Sequence, residues 1–264
     1  MMTDGTYESG SEFTNEGMTS VPPPPVEPLS MSDKFVGVLT EPAATFANVR
    51  AAGPRTSDWL LPVGITALIL IVGMFLRFSN PDFMAKIIEQ QSKGIAEQVE
   101  KGKLSQEQAD QALDQMENMQ GLIKIGGTIS AGVGFVIMFF VFALLYWLGA
   151  KYLMKGDVTF ALILSAAGLS TFMSAIDQLL SLLLSFLTGK PFANLSPALF
   201  VGDPMANAGT RLLLMLNPIS IWMYYVLGIG FEHVAAITRT KGLILAFAFF
   251  VLAALFSIVG GYGM

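Results

Sequence analysis

LNPISIWMYYVLGIGFEHVAA, residues 216–236, decides between a soluble and a membrane fold. It belongs to a run of 20 uncharged residues, 212–231, that closes on Glu232 and the chain's only histidine, His233. At 1.5 Å per helical residue, about 20 residues cross a hydrocarbon core of about 30 Å. Asn217 and Pro218 suit the N-cap and first-turn positions of such a helix. Trp222, Tyr224 and Tyr225 suit its approach to a membrane interface.

The two charged-type residues at the far end could be read as a proton or metal site, or as the end of the helix where water begins. A metal wants three or four converging ligands, whereas Glu232 and His233 are neighbours and point about 100° apart on a helix. Arg239 and Lys241 follow a few residues later. The pair is therefore read as structural: protonated His233 suits a helix C-terminus, and Glu232 can pair with a basic neighbour.

Four further stretches have the same character. There are 18 uncharged residues between Asp58 and Arg77, 26 between Lys124 and Lys151, and 23 after Lys241, while the run from Asp157 to Lys190 is broken by Asp177 alone. Hydrophobic residues make up 53% of the 264 and charged residues 13%, against roughly 25% charged in soluble domains. The expected fold is all-α: an integral membrane bundle of five transmembrane helices near residues 59–77, 125–149, 158–187, 215–236 and 242–261. The runs lack the alternating period of a membrane barrel.

The first 33 residues carry six carboxylates and no Lys or Arg, the reverse of a signal peptide. With VPPPPVEP at 21–28 they are expected to leave residues 1–31 as a disordered acidic, Pro-rich tail. Residues 32–58 form a juxtamembrane interfacial segment, in which Pro42 opens a short helix with Phe46 and Val49 on one side and Arg50 and Arg55 within reach of phosphates. Residues 59–264 form the membrane domain. Basic residues in the short connections, Lys151, Lys155, Arg239 and Lys241, set the N-terminus inside and the C-terminus outside, although raw totals are seven inside against eight outside.

Residues 80–120 interrupt the membrane domain with an extramembrane helical hairpin between helices 1 and 2. Met84, Ile88, Ile95 and Val99 recur at helical spacing. After Gly102, Ser105 and Gln108 make a capping box, and Ala109, Ala112, Leu113 and Met116 continue an apolar stripe in coiled-coil-like fashion. The eight carboxylates of the hairpin suggest a docking surface; the plainer alternative is a helix pair that packs its stripe on itself.

Asp177 is the strongest candidate for chemistry, because an ionisable group inside a membrane run costs at least about 2.5 kcal/mol on insertion scales and faces the bundle interior. Ser170, Ser174, Ser181 and Ser185 recur around it at roughly helical spacing, with Gln178 alongside. The stripe serves either as a proton or ion path or as interhelical glue, and the second reading is preferred because no second titratable partner is evident. Gly126, Ser130 and Gly134 are read as a small-residue packing seam in the second helix.

No catalytic residue, cofactor site or metal site is expected. Zero cysteines exclude disulfides, thiolate catalysis and cysteine zinc sites, and no nucleotide loop or hydrolytic motif occurs. Net charge −5 argues against nucleic acid. The expected partners are membrane lipids, and either other membrane proteins or further copies of the chain.

TEPAATFANVR at 40–50, the five apolar runs, and LNPISIWMYYVLGIGFEHVAAITRTKGLILAF at 216–247 together resemble the Yip1 domain family, in its prokaryotic branch, over roughly residues 33–262. Asn217, Pro218 and Trp222, the region of Gly228 and Gly230, and the basic turn from Arg239 to Lys241 carry the resemblance. It implies a five-helix membrane bundle with a cytosolic N-terminus in the inner membrane of a prokaryote. Eukaryotic members are adaptors for prenylated Rab GTPases, but this chain lacks their Asp-Leu-Tyr-Gly-Pro element and adds the hairpin, so the Rab role is not implied. Two functions follow as expectations: a non-enzymatic membrane adaptor or organiser, or a small transporter or channel with Asp177 lining its path.

Overall fold

Capping residues decide where the helices begin. In this computed structural model, which describes residues 26–190, 193–202 and 208–259, Ser30 Oγ accepts the Asp33 amide at 3.2 Å and opens α1, Met31–Thr40. Pro42 occupies the first turn of α2, Pro42–Ala52, where its missing N–H costs nothing. Gly53 ends that helix at φ 88°, a conformation that favours glycine. The Arg55 amide then donates to Asp58 Oδ2 at 3.0 Å at the head of α3, Thr56–Ser79.

Asn80 and Pro81 restart the chain as α4, Pro81–Glu100. The expected capping box is present: Ser105 Oγ accepts from Gln108 N at 3.2 Å and Gln108 Oε1 accepts from Ser105 N at 3.0 Å, opening α5, Gln106–Asn118. Helix α6, Gln120–Leu148, ends in a π-helical turn, Gly149–Leu153. Helix α7, Phe160–Thr188, has 29 residues, about 43 Å at helical rise, and stops at Gly189 in the left-handed conformation. After a 3₁₀ turn, Pro197–Phe200, come α8, Ala208–Met215, α9, Pro218–Val234, and α10, Arg239–Val259. The start of the expected acidic tail, residues 1–25, lies outside the described residues; Glu27 and Leu29 hydrogen-bond the side chain of Asn48.

Three helical stretches, Thr56–Ser79, Lys124–Leu153 and Phe160–Thr188, are long and apolar enough to cross a membrane. Helices α8 and α9 are bent by 58° at their break and make a fourth candidate as a pair. Sequence expected five crossings; the fourth, expected near 215–236 with Asn217 and Pro218 at its N-cap and first turn, corresponds to α9, while the uncharged residues 212–215 before it belong to α8.

Helix α7 is the axis of the bundle, flanked by α3 and α9, with α1, α2 and α6 also packed on it. Close approach depends on glycine at two crossings. A Cβ on Gly168 would lie 2.3 Å from Trp59 Cα, and one on Gly242 would lie 2.3 Å from the Gly228 carbonyl oxygen, so only glycine lets these backbones meet. The seam expected from Gly126, Ser130 and Gly134 does not pack: Gly126 and Ser130 are exposed, and nothing stands within 4 Å of a Cβ at Gly126 or Gly134. Helix α6 meets α3 one residue on, through Gly127 at Phe78, and through Gly132 at Ile71.

Candidate functional site

Asp177 sits midway along α7, half-buried, opposite the break between α8 and α9. Asn217, 1% exposed, caps α9 by accepting the Ile219 amide at 3.0 Å, and its side-chain amide donates to Asp177 Oδ1 at 2.7 Å. Ser220 Oγ approaches Asp177 Oδ2 at 3.5 Å. The carboxylate therefore stands at the positive end of α9 and is tied to the residue that starts that helix. A sequence reader sees Asn217 as a cap and Asp177 as a liability; the structure joins the two.

The remaining stripe residues diverge. Ser174 donates to Met223 Sδ at 3.0 Å, a second tie between α7 and α9. Ser181 donates to the Ala193 carbonyl at 2.7 Å and accepts from Arg77 Nη2 at 3.1 Å, which brings α3 and the loop after α7 together. Ser170 and Ser185 turn back onto their own helix, donating to the carbonyls of Ala166 and Ser181. Gln178 is half-buried. The row read as one stripe thus divides: Ser174 and Asp177 tie α7 to α9, Ser181 ties it to α3 and to the following loop, and Ser170 and Ser185 bond within α7.

The opposite ends of α7 and α9 carry a second polar constellation, largely missed by sequence. Lys34 Nζ reaches Asp58 Oδ1 at 2.6 Å, with both side chains buried, at 1% and 0% exposure. Phe35 stacks on Phe172 at 4.2 Å beside it. Arg50 does not point away to phosphates as expected: it donates to the Asp157 carbonyl at 2.7 Å, to Asp157 Oδ2 at 2.9 Å and to the Val234 carbonyl. Phe46 and Val49 are fully buried, and a Cβ on Gly230 of α9 would lie 3.2 Å from the Phe46 ring. The interfacial segment is thus built into the bundle. The signal for α1 was present in Ser30-x-x-Asp33, a cap and its third residue.

Glu232 pairs with Arg239 at 2.7 Å across the turn between α9 and α10, as the helix-end reading requires. That hydrogen bond and the carboxylate's charge raise the Arg239 guanidinium above its ordinary pKa. His233 is half-buried beside it. Trp222 is 42% exposed and stacks on Tyr225 at 5.3 Å. Among the described residues no three His, Asp or Glu side chains are grouped to hold a metal ion.

The apolar stripe of α4 and α5 is turned inward. Met84 is 9% and Ala109 3% exposed, Ile88, Ile95, Val99, Ala112, Leu113 and Met116 are half-buried, and the outward residues are polar apart from Pro81, Ala85 and Ala96 in α4. The first turns of α4 are anchored on the end of α7, where Lys86 Nζ donates to the Gly189 carbonyl at 2.6 Å and Phe83 meets Phe186 at 5.7 Å.

A helical bundle with several apolar segments of membrane-crossing length, tied by buried polar pairs, defines an integral membrane protein. The chain belongs to the Yip1 domain family, whose model matches residues 36–261. It is 26% identical over 225 residues to "Membrane protein YknW" of Bacillus subtilis (strain 168), a match covering 85% of this chain and 88% of that protein. No solved structure matches it.

Proposed function

We propose that the protein is a non-enzymatic membrane adaptor or organiser that recruits or stabilises other components of a prokaryotic inner membrane. It crosses five times, with α3, α6, α7, the α8–α9 pair and α10, its N-terminus in the cytoplasm and its C-terminus outside. The basic residues Lys151, Lys155, Arg239 and Lys241 then fall on the cytoplasmic face with α1 and α2. The hairpin of α4 and α5 stands on the other side.

The observation that carries this reading is the engagement of Asp177 by Asn217 and Ser220. A translocation path needs a polar group that changes partners, whereas this carboxylate is bound to the residue that starts α9. The reading as a small transporter draws on one feature, the helix break facing a carboxylate, which is how discontinuous helices form ion sites in some transporters.

The hairpin's outward carboxylates are the place to test recruitment. Photoreactive residues at Glu107 and Asp114, both exposed, are crosslinked in native membranes and the adducts identified by mass spectrometry. Discrete protein partners that are lost on charge reversal of the neighbouring exposed Asp110 support the adaptor reading; adducts to lipid or to nothing contradict it.

A further inference from the structure

A cavity of about 180 Å³ lies between α6, α7, α9 and α10. Phe135, Met138 and Phe142 line it from α6, Met223 and Leu227 from α9, and Phe249 from α10. The α7 wall carries hydroxyls, but each has a partner: Ser170 and Thr171 donate to carbonyls of their own helix, and Ser174 donates to Met223 Sδ. Tyr146 and Tyr224 also line it, and the surface presented inward is mostly apolar. Rings close the side away from Met138, where Phe249 meets Tyr146 at 4.5 Å.

The mouth opens sideways. Met138 and Phe142 line the cavity yet are 47% and 37% exposed, and they share their surface with exposed Val133, Ile137, Val141 and Leu145. All belong to a helix apolar and long enough to span the bilayer, so what stands at the opening is hydrocarbon rather than water. Apolar cavities of about 150 Å³ stay dry and accept apolar guests, and an empty one forfeits the dispersion contacts of its whole lining.

We infer that the cavity takes the end of a linear acyl chain from a bilayer phospholipid, inserted laterally past Met138 and Phe142. The chain end fills the gap that α6 leaves against α9 and α10, so a bound lipid is part of the packed bundle. This goes beyond the adaptor reading and does not depend on it.

Leu227 is the reporter, because it lines the cavity and is 4% exposed; lipid reaches it through the cavity alone. The full chain is reconstituted in phosphatidylglycerol–phosphatidylethanolamine nanodiscs with a phospholipid carrying a diazirine either at the chain terminus or beside the headgroup. After irradiation, the terminal probe is expected to label the peptide containing Leu227 several-fold more than the headgroup-proximal probe, while the terminal probe also labels the mid-span Val133–Ile137 surface and the headgroup-proximal probe labels the exposed Leu122 and Ile125 at the end of α6. Ser174→Phe, which fills the cavity, is expected to cut the Leu227 adduct several-fold and to leave the surface adducts unchanged. Equal labelling of Leu227 by both probes, no labelling there, or an adduct unaffected by Ser174→Phe overturns the inference. If Ser174→Phe does not fold, the two-probe comparison on the unaltered protein decides alone.

Discussion

Asn217 Nδ2 donates to Asp177 Oδ1 at 2.7 Å while Asn217 Oδ1 caps α9, so one buried amide both starts a helix and satisfies one oxygen of a carboxylate on its neighbour. Losing such an amide leaves a cap unmade, worth about 0.5–2 kcal/mol, and an acceptor unsatisfied, worth about 1–3 kcal/mol.

Asn217→Ala is therefore expected to lower the thermal midpoint in detergent, and Asn217→Asp to lower it further, since two carboxylates would then face each other. Asp177→Asn combined with Asn217→Asp restores the donor–acceptor pair with its polarity reversed. The double variant is expected to regain most of the loss; a strictly additive double variant would show that the two side chains do not couple.

Lys34 and Asp58 form a buried ion pair, at 1% and 0% exposure. Removing one partner of such a pair costs about 3–5 kcal/mol, whereas replacing both with matched uncharged groups is nearly neutral. Lys34→Met alone is expected to release α1, read as new protease cleavage between residues 31 and 52, and Lys34→Met with Asp58→Asn to suppress that cleavage while retaining an acceptor at the head of α3. Equal cleavage in both variants would contradict the account.

Gly168 gives a contrast within one residue type. Its Cβ would collide with Trp59 backbone at 2.3 Å, while Gly126 and Gly134 have open space. Gly168→Ala is expected to destabilise by about 1–3 kcal/mol through forced separation of α3 and α7. Gly126→Ala and Gly134→Ala are expected to be neutral or to gain from the better helix propensity of alanine. Thermal unfolding of the three variants in one detergent checks the order.

Much of the architecture was legible in charge spacing, because a membrane segment announces itself by what it lacks. The bounds of α3, α6 and α7 follow the uncharged runs 59–76, 125–150 and 158–189 with one internal carboxylate. The caps at Ser105 and Asn217 and the pairing of Glu232 could be read locally, since each involves residues within one or two turns. What failed depends on distance. Arg50 reaches Asp157 and Val234, 107 and 184 positions away, and nothing in its neighbours separates that from an arginine lying against phosphates. Small-residue spacing likewise gave the right helix but the wrong face, because Gly127 and Gly132, not Gly126 and Gly134, happen to point at α3.

The cysteine-free sequence lets topology be measured with single introduced cysteines. Single cysteines at Lys103, in the turn of the hairpin, and at Lys155, between α6 and α7, are expected to be labelled by a membrane-impermeant maleimide from opposite sides of sealed vesicles, with Lys155 on the cytoplasmic side. Labelling of both from one side would contradict the five-crossing arrangement.

The most direct test of the structural role given to Asp177 uses the same background. Asp177→Cys and Ser220→Cys are placed singly in the protein in native membranes, and their reaction with small water-soluble thiol reagents is followed from each side, with and without denaturant. A packed tie between helices predicts that both stay unreactive until the protein is unfolded; rapid reaction of either in the folded protein would mean that water reaches Asp177, and the reading as a path would replace the reading as an organiser.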